Sequence, residues 1–187
     1  MDKQVIIAIS REYGSGGHEI AKIIADDMGL NLYDRSLLDE IAREKDIKIE
    51  YLEKYDEKPK KTYLSRRVGA YTNSIEEIIT EMQFDCIREK AASGESFVIV
   101  GRCADYILKD NKDAIKIFLY SDSKSKEKRA IKYYGLNSKT ALRKIDKINK
   151  ERSKHYKFYT NREWKDFSNY DLSFNVDKYG VEKTAEN

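Results

Sequence analysis

One proline and two cysteines are all that this chain of 187 residues contains of either type. Cys86 and Cys103 have no metal-ligand spacing and no further cysteines around them, which excludes a disulfide framework or a thiolate metal cluster. The one proline, Pro59, belongs to no proline-rich tract, and low-complexity segments and internal repeats are absent. No apolar run approaches the roughly 20 residues that a membrane-spanning helix needs. No signal-peptide pattern precedes the first apolar segment, so the cytoplasm is the expected location. Neither sign of charge dominates overall, because 36 Lys/Arg against 33 Asp/Glu leave a net charge of only +3.

What is present is an ordinary globular composition, 40% apolar and 37% charged. The length suits one hydrophobic core, and residues 1–187 are expected to form one domain. The small net charge hides an uneven distribution. Between Lys124 and Lys165 there are fifteen Lys/Arg and four Asp/Glu, a local net of +11 that leaves the rest of the chain at −8. Such a segment either meets a polyanionic partner or forms a solvated, lysine-rich helix face.

Three segments have the short, apolar, β-branched or aromatic character of buried strands: Val5–Ser10, Phe97–Gly101 and Ile115–Tyr120. Leu30–Tyr33 and Leu172–Val176 are weaker candidates. Helical stripes lie between them. Ile20, Ala21, Ile23, Ile24 and Met28 form one that stops at Gly29, and Leu37, Leu38, Ile41 and Ala42 form a second. Ile75, Ile78, Ile79, Met82 and Ile87 form a long third, and a fourth begins over Ala130 to Leu142. Strands alternating with helices predict an α/β fold with a parallel sheet covered on both faces. The polar stretch Tyr55–Thr62 around Pro59 is the expected flexible connection.

The first strand runs into Gly14-Ser15-Gly16-Gly17-His18 and then directly into a helical pattern. A strand, a bend of small residues and a helix start bring backbone N–H groups and the positive end of a helix onto one anion. The same residues also suit a plain connection. A strict phosphate loop adds a lysine for the β/γ oxygens and a hydroxyl for magnesium. Here Gly17 holds the lysine position, followed by His18 and Glu19. Arg11, at the start of the loop, is the cation available to take over from the missing lysine.

Ile9-Ser10-Arg11-Glu12-Tyr13-Gly14-Ser15-Gly16-Gly17 with Glu19-Ile20-Ala21 resembles the opening of the cytidylate-kinase-like proteins of bacteria. Tyr33-Asp34-Arg35 and Val98–Leu108 are similar to the middle of that family. Arg152, Tyr156–Thr160, Trp164 and Asn169–Leu172 are similar to its end. The resemblance implies a P-loop kinase fold: three α/β/α layers, a five-stranded parallel sheet, an acceptor-binding region at about 35–75 and a basic helical lid at about 135–166. It also implies ATP and Mg2+ as cofactors. Relative to the true cytidylate kinases, Gly17 replaces the loop lysine, Val100 stands in place of an acidic residue, and Asn149 falls where an acidic residue often precedes the lid arginine.

Phosphoryl transfer asks the protein mainly for positioning and for cations around the developing charge. Arg102 follows the Phe97–Gly101 strand and is expected to face the crevice at the strand ends; the resemblance makes it the holder of the acceptor phosphate, and an ion pair with Asp105 is the alternative. The resemblance places Arg129 beside the donor phosphates and makes Arg152 and Arg162 closing arginines of the lid. Asp34, Arg35 and Asp105 are expected at the acceptor. Asp34 equally suits an N-cap for a helix over Ser36–Ile41. Ser65, Arg66, Arg67 and Tyr71 are candidate cover for the acceptor. Lys139, Arg143, Lys147 and Lys154 are expected to be solvated. Tyr156, Phe158, Tyr159 and Trp164 are expected to pack the lid on the body, with base stacking as the alternative. Ser10, Glu19 and Asp105 are the candidate magnesium ligands, and phosphate oxygens and water supply most of the coordination.

The expected activity is ATP-dependent phosphoryl transfer to a nucleoside monophosphate, with CMP or dCMP the first acceptors. A nucleotide-binding protein of little or no turnover and a nucleic-acid-binding protein are the alternatives. The partners are then nucleotides and not membranes, with nucleic acid disfavoured and a homodimer as a further expectation.

Overall fold

The computed structural model describes residues 3–34, 36–55, 67–68, 71–72 and 74–187. In chain order the elements are β1 (Ile6–Arg11), α1 (Gly17–Met28), β2 (Asn31–Tyr33), α2 (Ser36–Glu44), α3 (Ile49–Tyr55), β3 (Arg67–Val68), β4 (Tyr71–Thr72), α4 (Ile75–Ala92) and β5 (Phe97–Val100). They continue with α5 (Ala104–Ile107), β6 (Ala114–Tyr120), α6 (Ser123–Tyr134), α7 (Ser138–Thr160), a 3-10 turn at Phe167–Asn169, β7 (Leu172–Asn175) and α8 (Val176–Glu186). The main sheet has five parallel strands in the order β2-β5-β1-β6-β7. β3 and β4 form a separate antiparallel pair. All five expected strands are therefore present, each within a residue or two of its expected ends.

The side-chain period of two divides each central strand between two cores. Ile6 and Ala8 of β1 join Phe97 and Ile99 of β5 in one core, with Leu37, Leu38 and Ile41 of α2 and Ile79 and Ile87 of α4. Ile7 and Ile9 join Val98 and Val100 in the other, against Ile20, Ala21 and Ala25 of α1 and Val181 of α8. Burial on both faces is why these strands read as unbroken apolar runs instead of alternating ones. β1 lies between β5 and β6, with Ile9 opposite Val100 and Arg11 opposite Leu119. The ends of β1 and β5 thus sit side by side, which is the placement that builds the site.

Four details depart from the sequence pattern. Met28, at 49% exposed, and Ile78, at 40%, leave their stripes for solvent, and Ala25 and Phe84 are buried nearby. The stripe expected over Ala130 to Leu142 is broken into two helices. α6 stops at Gly135, whose left-handed φ of 61° caps it, and Asn137 starts α7 by accepting a hydrogen bond from the Thr140 N–H. Leu142 is consequently turned outward. Most of the stretch Tyr55–Thr62 lies outside the described residues.

A third, aromatic core lies between α7 and the sheet. Phe118 of β6 meets Trp164 edge-on, ring centroids 5.4 Å apart, and Tyr170 at 5.0 Å. Tyr156 and Trp164 are buried and Tyr159 packs on Phe84, as the packing reading expected, whereas Phe158 is exposed. Among the described residues no helix is long and apolar enough to cross a membrane.

Candidate active site

β1 ends at Arg11 and α1 begins at Gly17, so the loop between them is five residues long. Two of these need to be glycine. Gly14 (φ 82°) and Gly16 (φ 86°) are left-handed. A Cβ on Gly14 would also lie 3.1 Å from the Lys126 carbonyl oxygen, and one on Gly16 would lie 3.1 Å from the Arg129 guanidinium. The first helical bond of α1 runs from the Ile20 N–H to the Gly16 carbonyl. As at any helix start, the amides of the first turn have no carbonyl within the helix to take them, and they form the positive end of α1.

Other segments hold the loop in shape. Ser15 is fully buried, and both its N–H and its hydroxyl bond to the Glu12 carbonyl, the latter at 2.9 Å. Expected in the phosphate cradle, Ser15 instead closes the loop on itself, because its two donors are used there. Glu12 is buried and receives Lys126 at 2.6 Å and the Lys165 ammonium. Burial pushes its carboxyl up, but the hydrogen bonds and charges of the two lysines outweigh this and hold it below the ordinary range. The Tyr13 N–H donates to Asn149 Oδ1 at 2.8 Å, and Arg152 Nη1 donates to the Arg11 carbonyl at 2.9 Å. Asn149 and Arg152 are neighbours on one face of α7, three residues apart.

On the adjacent strand the chain leaves β5 through three successive left-handed residues, Gly101 (φ 79°), Arg102 (φ 57°) and Cys103 (φ 52°). For arginine and cysteine this conformation costs roughly 1–2 kcal/mol each. It turns Arg102 back over the strand ends, buried, with Nη1 donating to Gln83 Oε1 at 3.3 Å. The ion pair with Asp105 is not formed. Asp105 is buried instead, its oxygens accepting from Ser10 at 3.2 Å and from Tyr156 at 2.6 Å, and desolvation pushes its carboxyl up.

A cleft of about 750 Å³ opens over the ends of β1 and β5. Arg11, Arg102, Arg129 and Arg152 line it, with Gly14, Gly16, Gly17, His18, Glu19 and Asp34. Arg129 is bound through both terminal nitrogens to Glu19 at 3.1 Å. Asp34 lines the cleft and bonds at the start of α2 as the N-cap reading expected: one oxygen accepts the Ser36 N–H, and the other lies 3.2 Å from His18 Nδ1. Asp34 is placed by the end of β2, where Tyr33 donates to Glu95 at 2.6 Å and receives Lys90 at 3.0 Å.

Besides Ser15, three expected residues are not at the cleft. Asp105, with Ser10, is enclosed behind it by the bonds described above. Arg162 is exposed, 5.2 Å over the Tyr106 ring and bonded to Asn169, because the left-handed cap Asn161 turns the chain away after α7. Arg35, Ser65 and Arg66 lie outside the described residues, and only backbone is described for Arg67 and Tyr71. Conversely, Glu12, Lys126 and Lys165 were not expected. Their signal was an acidic residue in a glycine-rich bend at the end of an apolar strand, which demands counterions that the basic segment supplies. Lys139, Arg143, Lys147 and Lys154 are exposed, as expected.

The glycine bend, the helix start and four converging arginines fit a polyphosphate chain. The donor set for a metal is thinner. Ser10 and Asp105 are engaged with each other, which leaves Glu19 in the cleft, and among the described residues no group of three His, Cys, Asp or Glu side chains comes together.

Comparison with known proteins agrees with this geometry. Residues 6–178 match the cytidylate kinase-like family. An uncharacterized protein from Eubacterium ventriosum of known structure is 35% identical, with a TM-score of 0.77, over 98% of this chain and 94% of that one. Shikimate kinase from Bacteroides thetaiotaomicron has the same fold at 16% identity and a TM-score of 0.57, over 97% of this chain and 94% of that one. Shikimate kinase from Acinetobacter baumannii, solved with shikimate, matches at 14% and 0.52, over 98% and 89%. No curated protein matches the chain. With residues 6–178 matched and a fold shared with the shikimate kinases, the chain belongs to the cytidylate kinase-like family.

Proposed function

We propose that the protein transfers a phosphoryl group from ATP to a nucleoside monophosphate, with CMP and dCMP the first acceptors to try. The observation that carries this reading is the convergence of Arg11, Arg102, Arg129 and Arg152, from four separate segments, over one glycine bend and one helix start. Acceptor oxygen attack on the γ-phosphorus breaks its bond to the β,γ-bridging oxygen, and ADP leaves. Negative charge moves along that line, and fixed cations beside it favour the transition state over the ground state.

In this reading the amides of Gly14, Gly16 and Gly17 and the start of α1 take the donor phosphates, with Arg129 and Arg152 at their flanks. Asp34 and Arg102 face the acceptor, Arg102 holding its phosphate, with Arg35 a further candidate; His18, at the helix start, is a candidate phosphate contact, with solvent the alternative. Magnesium, when bound, neutralises phosphate oxygens. Glu19 is the cleft carboxylate that would hold it, and phosphate and water supply the other ligands.

A second reading, nucleotide binding with little turnover, is favoured by the absence of a loop lysine and by Glu19 neutralising Arg129. One experiment separates the two. Purified protein with ATP, magnesium and a panel of monophosphates is followed for ADP release. Acceptor-dependent release supports the kinase, and ATP binding with no release under any acceptor supports the second reading. Salt-sensitive binding of oligonucleotides without mononucleotide affinity would overturn both.

A further inference from the structure

Gly17 poses a problem that its backbone does not answer. It is the first residue of α1, its φ is not left-handed, and any residue could adopt its conformation. Glycine brings such a position no conformational benefit and has more backbone freedom to lose on folding than any other residue, so a reason is needed. The reason is the Arg11 side chain. A Cβ on residue 17 would lie 2.6 Å from Arg11 Cβ and 2.9 Å from Arg11 Cγ. The nearer of the two, Cβ, is fixed by the backbone of β1 and cannot swing aside by any side-chain rotation.

The other end of the same side chain has a matching requirement. A Cβ on Gly101 would lie 2.2 Å from Arg11 Nη1. The arginine therefore runs from the start of α1 to the end of β5, lying in space that two glycines leave open. Its guanidinium ends at the floor of the cleft, one residue from Arg102. Lysine-bearing loops send a cation to this neighbourhood from the helix start; here a cation arrives from the end of β1 and the helix start is bare.

We propose that Arg11 and Gly17 are an exchanged pair: Arg11 holds the donor's terminal phosphates in the role of a loop lysine, and position 17 is glycine so that it can. This rests on the nucleotide-binding reading above and deepens it. The missing lysine is then a relocated charge and not a lost one. A guanidinium offers two parallel N–H donors to one phosphate where an ammonium offers a point charge, and it cannot be neutralised by proton loss.

The test is a swap. MgATP binding is measured by calorimetry for the wild type, Arg11→Gly, Gly17→Lys and the double variant, with thermal melts to confirm folding. Arg11→Gly should weaken MgATP binding by roughly 10–100-fold, the loss of a charged hydrogen-bonding pair. Gly17→Lys should bind no better or should fold poorly, since two side chains compete for one slot. The double variant should recover folding and most of the affinity. Adenosine binding should be the same in every folded variant. If Arg11→Gly unfolds, Arg11→Gln, which keeps much of the stem, takes its place and should show the same roughly 10–100-fold loss. Unchanged MgATP affinity in Arg11→Gly or Arg11→Gln overturns the exchange alone, as does a double variant no better than the singles. A wild type without MgATP affinity overturns the nucleotide-binding reading itself, and the exchange with it.

Discussion

The loop after β1 and the turn after β5 end neighbouring parallel strands, each contains glycine, and each delivers an arginine to the same cleft. They reach that result by different means. The β1 loop is held from outside: Glu12 by Lys126 and Lys165, the Tyr13 amide by Asn149, the Arg11 carbonyl by Arg152. The β5 turn is shaped mainly by its own backbone, through three consecutive left-handed residues, with Gln83 as a bonding partner of Arg102. One geometry is borrowed from distant chain and the other is stored locally. Substitutions at the two sites should therefore fail in different ways.

The largest effect is expected from Glu12→Gln. It removes one side of a buried charge pair and leaves Lys126 uncompensated, at a cost of about 3 kcal/mol. Hydrogen exchange should quicken at Gly16–Ile20 and stay unchanged at Ala104–Leu108; loss of protection at both would break the comparison. The same variant carries a pH signature. The folded-state carboxyl of Glu12 is held below its unfolded value, so its contribution is complete above that value and is lost as pH falls through the folded one. Melts from about pH 7 down to about pH 3 should show a shallower acid loss in the variant.

Next comes Gly101→Ala. The left-handed backbone and the Arg11 guanidinium both oppose a Cβ, and the cost should be about 1–3 kcal/mol. Here the damage should stay local: the acceptor KM rises through Arg102, and the ATP KM rises through Arg11, while the Glu12 cluster keeps its acid behaviour. Normal kinetics with wild-type stability would show that the turn tolerates a side chain and is not the local device described.

Lys165→Met should have the smallest effect. Its side chain is about half exposed, unlike Lys126, and exposed pairs contribute under about 1 kcal/mol. Chemical denaturation of Lys165→Met beside Lys126→Met sharpens which of the two lysines shapes the loop. Equal losses would contradict the burial argument.

These differences also explain what could be read in advance. Strands buried on both faces announce themselves as apolar runs, which is why β1, β5 and β6 were legible and even the short β2 and β7 could be found. The break at Gly135 and Asn137 was marked by residues suited to caps, but apolar residues continued across it and masked the stop. In the site, Gly14, Gly16, Gly17 and Arg11 lie within seven residues, so their meeting was legible. Glu12 and its lysines are separated by 114 and 153 residues, and only the folded chain brings them together. The turn at Arg102 was hidden for another reason. Arginine and cysteine carry no sequence signal for a left-handed backbone, and Gly101 alone does not announce two more such residues.

Tyr156 hangs from Asp105 inside the body, about one turn before the C-terminal end of the 23-residue helix that carries it. Mechanically this makes a pivot with arms of unequal length. At 1.5 Å per residue the far tip at Ser138 stands about 27 Å from the pivot and Arg152 about 6 Å. A tilt of about 10° would sweep that tip through roughly 5 Å and shift Arg152 by only about 1 Å. Such a tilt would carry α6 with it, because Ala141 and Ile145 of the long arm are buried against Ala130, while Arg152, near the fulcrum, stays almost in register with the loop beneath it.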